Sequence, residues 1–302
     1  MILRSAILYA SGNRLLRRWV EHSSMARPLT RRFVAGNTMD DAIAAVRRLQ
    51  SGGLLASLDT LGEQVTGEDE AGKAAARYVD AIHRIHSLAL PVSVSLKLTQ
   101  LGLDTAESLA GENLERIVAA GHERGVRVEV DMEASAYVDR TLTLVKRCHR
   151  QWGNVRVAVQ AYLYRTEDDV RELNREGIPA RLCKGAYQEG HSIAWPEKAK
   201  VDENYLKLTT LLLEEGTWPA IASHDDRMLA HAREEIARLK LPPERYEFEM
   251  LYGIRRDTQR KLAREGHAVR IYVPYGEAWY PYLMRRMAER PANLLFVLRN
   301  WR

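Results

Sequence analysis

"HERGVRVEVD", residues 122–131, closes a helical pattern at Gly125 and opens an alternating one at Val126. A glycine directly after a helix takes the left-handed conformation that ends it at little cost. A β-branched run close behind reads as a strand. In that run Val126, Val128 and Val130 share one face, while Arg127, Glu129 and Asp131 share the other. The same phrase recurs in "RRLQSGGLLASLD" (47–59), "CHRQWGNVRVAVQ" (148–160), "NREGIPARLCK" (174–184), "EEGTWPAIASH" (214–224) and "AREGHAVRIYV" (263–273). Two further runs, "LPVSVSLK" (90–97) and "ERYEFEML" (244–251), follow prolines instead. Strands are therefore expected to begin near Leu54, Val92, Val126, Val155, Ile178, Ala220, Tyr246 and Val269.

Helical patterns separate these runs. Asp104 with Glu107, and Thr166 with Asp169, have the spacing of capping boxes at two helix starts. Strand alternating with helix implies parallel pairing through crossovers. About eight such units close into an α/β fold of the (β/α)8 TIM-barrel type. An open doubly wound sheet is the alternative, and it loses ground because no G-x-G-x-x-G follows a strand. Residues 1–50 read as extra N-terminal helices packed on the barrel, and 51–302 as the barrel itself.

A parallel sheet covered by helices should be apolar on both faces. Here Ser93, Ser95 and Lys97 oppose Val92, Val94 and Leu96, Arg156, Ala158 and Gln160 oppose three valines, and Arg270 and Tyr272 share a face. The polar face should line a lumen where opposite charges neutralise one another. Buried charge is costly and seldom kept for stability alone, so the interior looks built around a ligand. Active sites of such barrels lie at the C-terminal strand ends. Those ends carry Asp59, Lys97, Asp131, Gln160, Arg181 with Lys184, His224, Leu251 and Tyr272. Beyond the last strand, "WYPYLMRRMAER" puts Tyr282, Arg285 and Arg286 on one helical face. Two arginines early in a helix oppose its dipole, and an anionic partner would resolve that.

Of 302 residues, 46% are hydrophobic and 28% charged, ordinary for a globular chain. The net charge of +5 is spread among acids, as in "HAREEIARLK", which reads as solvated helix faces rather than a nucleic-acid stripe. Two cysteines, Cys148 and Cys183, have no metal or redox spacing, so a cytoplasmic setting is expected. His83 and His86 read as an exposed helix turn, and no metal site is expected. The first twenty residues form a basic amphipathic segment rather than a signal peptide, because Arg4 interrupts the apolar run.

These residues resemble the flavin-dependent proline dehydrogenases, both the compact bacterial enzymes and the corresponding domain of proline utilisation A. The resemblance rests on "SLDTLGE" (57–63), "VSLKLTQLG" (94–102), "VEVDMEA" (128–134), "VQAYLYRT" (159–166) and "RLCKGAYQE" (181–189). It continues in "ASHD" (222–225), "FEMLYG" (248–253), "RIYVPYG" (270–276) and "YLMRRMAERP" (282–291). It leaves residues 1–50 uncovered.

The resemblance implies FAD bound without a Rossmann motif. Arg181 would sit near the flavin N5, stabilising the anionic reduced ring. Gln160, Lys184, Gly185, Ala186, Ser223 and His224 would hold ring, ribityl chain and phosphates, with the backbone near Met132. Lys97, Arg285 and Arg286 would clamp the carboxylate of L-proline, and Asp131 would orient those cations. Tyr187, Leu251, Tyr272 and Tyr282 would wall the pyrrolidine ring, Tyr272 crowding its C4. Hydride would pass from proline C5 to flavin N5, giving Δ1-pyrroline-5-carboxylate, the first step of proline catabolism to glutamate. Electrons would go on to a membrane quinone, which implies transient peripheral contact with the inner face of the cytoplasmic membrane. Glu63, on a loop freed by Gly62, would pair with Arg285 as a gate. Two other readings stay open: a Schiff-base aldolase using Lys97 or Lys184, and a basic module binding polyanions.

Overall fold

The structure, a computed structural model, describes residues 30, 32–62, 65, 67–280 and 282–284. Its strands are β1 (Leu55–Thr60), β2 (Val92–Leu96), β3 (Val128–Val130), β4 (Val155–Gln160), β5 (Ala180–Cys183), β6 (Ala220–Ala222), β7 (Glu247–Leu251) and β8 (Val269–Tyr275). All pair in parallel with their sequence neighbours, and β8 returns to β1, so the sheet closes into a barrel. Helix α1 (Met39–Gln50) precedes β1. Then α2 (Glu68–Ser87), α3 (Glu107–Glu123), α4 (Val138–Trp152), α5 (Thr166–Arg175), α6 (Lys198–Glu215), α7 (Asp226–Leu239) and α8 (Arg256–Arg264) follow β1 to β7 in turn. The (β/α)8 expectation is met.

Left-handed glycines follow five of the helices, as the sequence implies: Gly53, Gly125, Gly153, Gly177 and Gly266. Gly153 ends α4 at φ 72°, and its N–H returns to the His149 carbonyl. The exception is Gly216 after α6, which is extended, so that the left-handed turn falls two residues later on Trp218, at φ 48°. The two expected capping boxes do not form. Asp104 instead accepts from the Tyr137 hydroxyl at 2.7 Å, Thr166 donates to the Gln160 carbonyl at 2.5 Å, and Asp169 pairs with Arg165. Asp104 is thus taken by a tertiary partner, and Thr166 and Asp169 by neighbours in the β4–α5 segment itself. A capping box does open α1, built by Thr38 and Asp41.

The valines of the alternating strands point outward and are buried beneath the helices in one continuous core. Within residues 1–50, α1 buries Ala42, Ile43, Ala45 and Val46 and packs over β1 and β8. The basic stretch 1–29 lies outside the described residues.

The opposite faces meet inside the barrel in two layers. In the lower one Glu247 receives Arg156 Nη1 and, at 2.9 and 3.1 Å, Arg270. Glu129 accepts from Ser93 at 2.7 Å. This part of the polar face closes on itself, so it is a floor rather than the ligand site that its charge implied.

Candidate active site

Above the floor, four strands bring Lys97, Asp131, Arg181 and Tyr272 together. Lys97 is the first residue past β2 and Asp131 the first past β3; Arg181 lies in β5 and Tyr272 in β8. Lys97 Nζ donates to Asp131 Oδ2 at 2.6 Å, and the Tyr272 hydroxyl donates to the same oxygen at 2.8 Å. Ser95 donates to Oδ1 at 3.0 Å, and Arg181 Nη2 binds there too. Asp59 stands 3.7 Å from Lys97.

Burial opposes charge on both partners, but the pairing wins. Lys97 and Arg181 hold the Asp131 carboxyl well below the usual range. Asp131 and Asp59 likewise keep the Lys97 ammonium above its usual value. A Schiff-base nucleophile needs a lysine with a depressed pKa, so Lys97 is a poor aldolase nucleophile and a good anchor for an anion. Its side chain is 20% exposed, against 5% for Arg181, which places the anchor at the opening.

Arg181 joins the two layers. Its Nη1 reaches Glu249 at 3.0 Å and Glu129 at 3.3 Å, and its guanidinium lies 5.6 Å from the Tyr272 ring centroid. Glu129, Glu247 and Glu249 approach within 4.8 Å of one another, and the arginines among them take the place a metal would need. Glu249 has one oxygen without a hydrogen-bond partner among the described residues. Burial pushes it up to about 7, because Arg181 offsets that only in part while Glu129 and Glu247 add to it.

A carboxyl raised on folding makes the folded state bind more protons, so stability falls as pH rises through the window from the ordinary value to about 7. Glu249→Gln should remove that slope. Between pH 5 and pH 8 the wild-type protein is expected to lose roughly 1–3 kcal/mol more than the variant, read from denaturant unfolding at each pH. Parallel curves would show that Glu249 is ionised throughout.

The other predicted residues line the rim from β4 to β7. Gln160 donates to the Glu133 carbonyl at 2.8 Å, which aims its side-chain oxygen elsewhere. Lys184 is held between Asp202 at 2.6 Å and Asp225 at 2.8 Å. Ser223 accepts the Asp225 N–H at 3.1 Å, and Asp225 caps α7. His224 Nε2 accepts the Leu251 N–H at 2.8 Å, so its proton sits on Nδ1 and the ring ties β6 to the end of β7. Tyr187 follows Gly185 and Ala186 on the loop after β5, which Glu189 moors to Ser135 at 2.5 and 2.7 Å. Met132 and Tyr282 are buried.

The sequence reading missed Glu133, Glu189, Asp202 and Glu249. Of these only Glu249 had a signal, its place on the polar face of "YEFEML". Glu63, Arg285 and Arg286 lie outside the described residues, and with them the clamp and the gate. Gly62 is not left-handed, and a side chain there would meet Gln100 Nε2 at 3.1 Å.

The model of the proline dehydrogenase family matches residues 42–299. The chain belongs to the proline dehydrogenase family. It is 40% identical to proline dehydrogenase 1 of Bacillus subtilis (strain 168) over 299 residues, which are 99% of both chains. It is 37% identical to the proline dehydrogenase of Deinococcus radiodurans, over 90% of this chain and 89% of that one. Its fold is similar to proline utilization A from Bdellovibrio bacteriovorus, a structure inactivated by N-propargylglycine, with a TM-score of 0.82 and 24% identity. That superposition covers 94% of this chain and 38% of the other. The enzyme is therefore a proline dehydrogenase, an oxidoreductase acting on proline. Among the described residues, no helix is long and apolar enough to cross a membrane.

Proposed function

We propose that the enzyme oxidises L-proline to Δ1-pyrroline-5-carboxylate with FAD, and that a membrane quinone then takes the electrons. The observation that carries this is the Lys97–Asp131–Arg181–Tyr272 cluster at the strand ends: one anion anchor at the opening, with a buried cation beneath it. The donor set suits a flavin. Arg181 Nε is a buried N–H with no hydrogen-bond partner among the described residues. Gly185 has φ 114°, and a Cβ there would stand 2.1 Å from the Tyr162 ring, so only glycine lets the backbone run this close. Arg181, Gln160, Lys184, Gly185, Ala186, Ser223 and His224, with the backbone at Met132, would hold the cofactor. FAD, when bound, supplies the acceptor for the hydride leaving proline C5.

The protein's own groups do the rest. Lys97, with Arg285 and Arg286, takes the substrate carboxylate. Asp131 fixes Lys97 and keeps it charged. Tyr187, Leu251, Tyr272 and Tyr282 enclose the ring and exclude water, which strengthens the ion pairs within. The gate pairs Glu63 with Arg285 over the bound substrate. Membership of the family supports a quinone as acceptor, and with it a peripheral membrane contact.

Purified protein should be yellow, and L-proline should bleach it in the absence of oxygen. A colourless protein that FAD cannot reconstitute would overturn this reading.

A further inference from the structure

Arg127 is the one member of the polar "RVEVD" face that neither the floor nor the active site uses. It lies at the opposite end of the barrel, just before β3. There a cavity of about 350 Å³ opens among the N-terminal strand ends, lined by Arg127, His122, Asn154, Pro179 and Trp218. In these barrels that end does not carry the catalytic chemistry.

Three observations single it out. First, Arg156, Arg181 and Arg270 each hold a carboxylate, whereas Arg127 Nε and Nη1 are buried with no hydrogen-bond partner among the described residues. Arg127 as a whole is half-buried, but buried polar atoms are nearly always satisfied, so these two N–H groups call for an acceptor. The Asn154 side-chain oxygen on the same cavity also lacks a partner among the described residues, but as an acceptor it would take a donor group of the ligand rather than the oxyanion itself.

Second, Arg127 lies 3.4 Å over the Trp218 ring, and Arg156 lies 4.5 Å from the same ring. A π face softens a cation's burial but supplies no counter-charge. Burial, and then Arg156 and Arg270, press the Arg127 guanidinium down to about 9, with Glu247 and Glu129 relieving this only in part.

Third, Trp218 holds its ring there from a left-handed backbone, φ 48°, two residues past an extended Gly216. A bulky residue at positive φ is strained, and such strain gathers at ligand clamps and other functional sites.

We infer that this cavity is an oxyanion site, which takes a small molecule bearing a phosphate or carboxylate on Arg127 with the Trp218 indole as its wall. Guanidinium is the side chain suited to such groups. The site lies apart from proline oxidation, so the two are separable by mutation.

The test uses the flavin-loaded full chain. Inorganic phosphate or acetate is titrated against chloride at constant ionic strength, and the melting temperature is followed. Phosphate at about ten times its dissociation constant should raise the wild-type melting point by about 2–4 °C. Arg127→Gln should lose that rise while keeping its rate of proline oxidation. The acetate arm tells a carboxylate site from one that requires phosphate. Iodide quenching of tryptophan emission gives a second reading: phosphate should protect the wild-type protein, and Trp218→Phe should abolish the protected fraction. Equal phosphate effects on wild type and Arg127→Gln, or quenching indifferent to phosphate, would mean that the cavity holds only solvent.

Discussion

Replacing Lys97 with methionine is expected to cut kcat/KM for proline by roughly thirtyfold to several thousandfold, mainly through weaker substrate binding. The size follows from the charges around the anchor. Lys97 stands 2.6 Å from Asp131 and 3.7 Å from Asp59. Without it, two carboxylates face the incoming carboxylate of proline, so an attraction is replaced by a repulsion in a partly desolvated site. Methionine keeps the length of the side chain and much of its volume, which limits the change to charge and hydrogen bonding. Prolinamide, which lacks the anionic group, should lose far less than proline. Equal losses for the two would show that Lys97 acts on something other than the carboxylate. The double variant Lys97→Met with Asp131→Asn should recover part of the loss, because it removes one of the repelling charges.

The strands and the lumen were legible because both rest on period-two alternation, which a closed barrel preserves around its circumference. Ser93, Glu129, Arg156 and Arg270 declared themselves as interior residues by standing where a buried strand should be apolar. What that pattern does not contain is depth. Asp131 and Glu129 belong to the same face two residues apart, yet one opens to the site and the other closes the floor, a distinction fixed by the stagger of neighbouring strands. Pairings between distant loops were also hidden: Lys184 finds Asp202 and Asp225, and Glu189 finds Ser135. The capping signals failed for a related reason. Asp104 is a good cap by type, but Tyr137 lies within reach only once neighbouring units of the barrel have packed, while Thr166 turns back to the Gln160 carbonyl within its own turn. Trp218 gave no signal at all, since nothing local favours a left-handed tryptophan.

The floor carries the largest effect on stability. Arg156 and Glu247 are fully buried, and Arg270 is nearly so. Besides Glu247, Arg156 donates to the Trp218 carbonyl at 3.2 Å, and Arg270 donates to the Ala56 carbonyl at 2.8 Å. Removing the carboxylate leaves two guanidinium groups in the barrel's interior with only Glu129 among the described residues, 3.8 Å from each, to pair with them. Glu247→Ala is therefore expected to cost about 3–5 kcal/mol, a fall in melting temperature of roughly 6–15 °C. Glu247→Gln, which keeps an acceptor but not the charge, should fall between the two. The pH dependence supplies an independent reading. Burial would raise the Glu247 carboxyl, yet Arg156 and Arg270 hold it well below the usual range. A carboxyl lowered on folding lends stability that is fully present above its ordinary value of 4.5 and is lost as pH falls toward the folded value. Wild-type protein should thus lose stability steeply below about pH 4.5, while Glu247→Gln should start lower and decline less over the same interval. A variant as stable as wild type at pH 7 would mean that the arginines find other partners, and the floor would then owe its stability to packing rather than to charge.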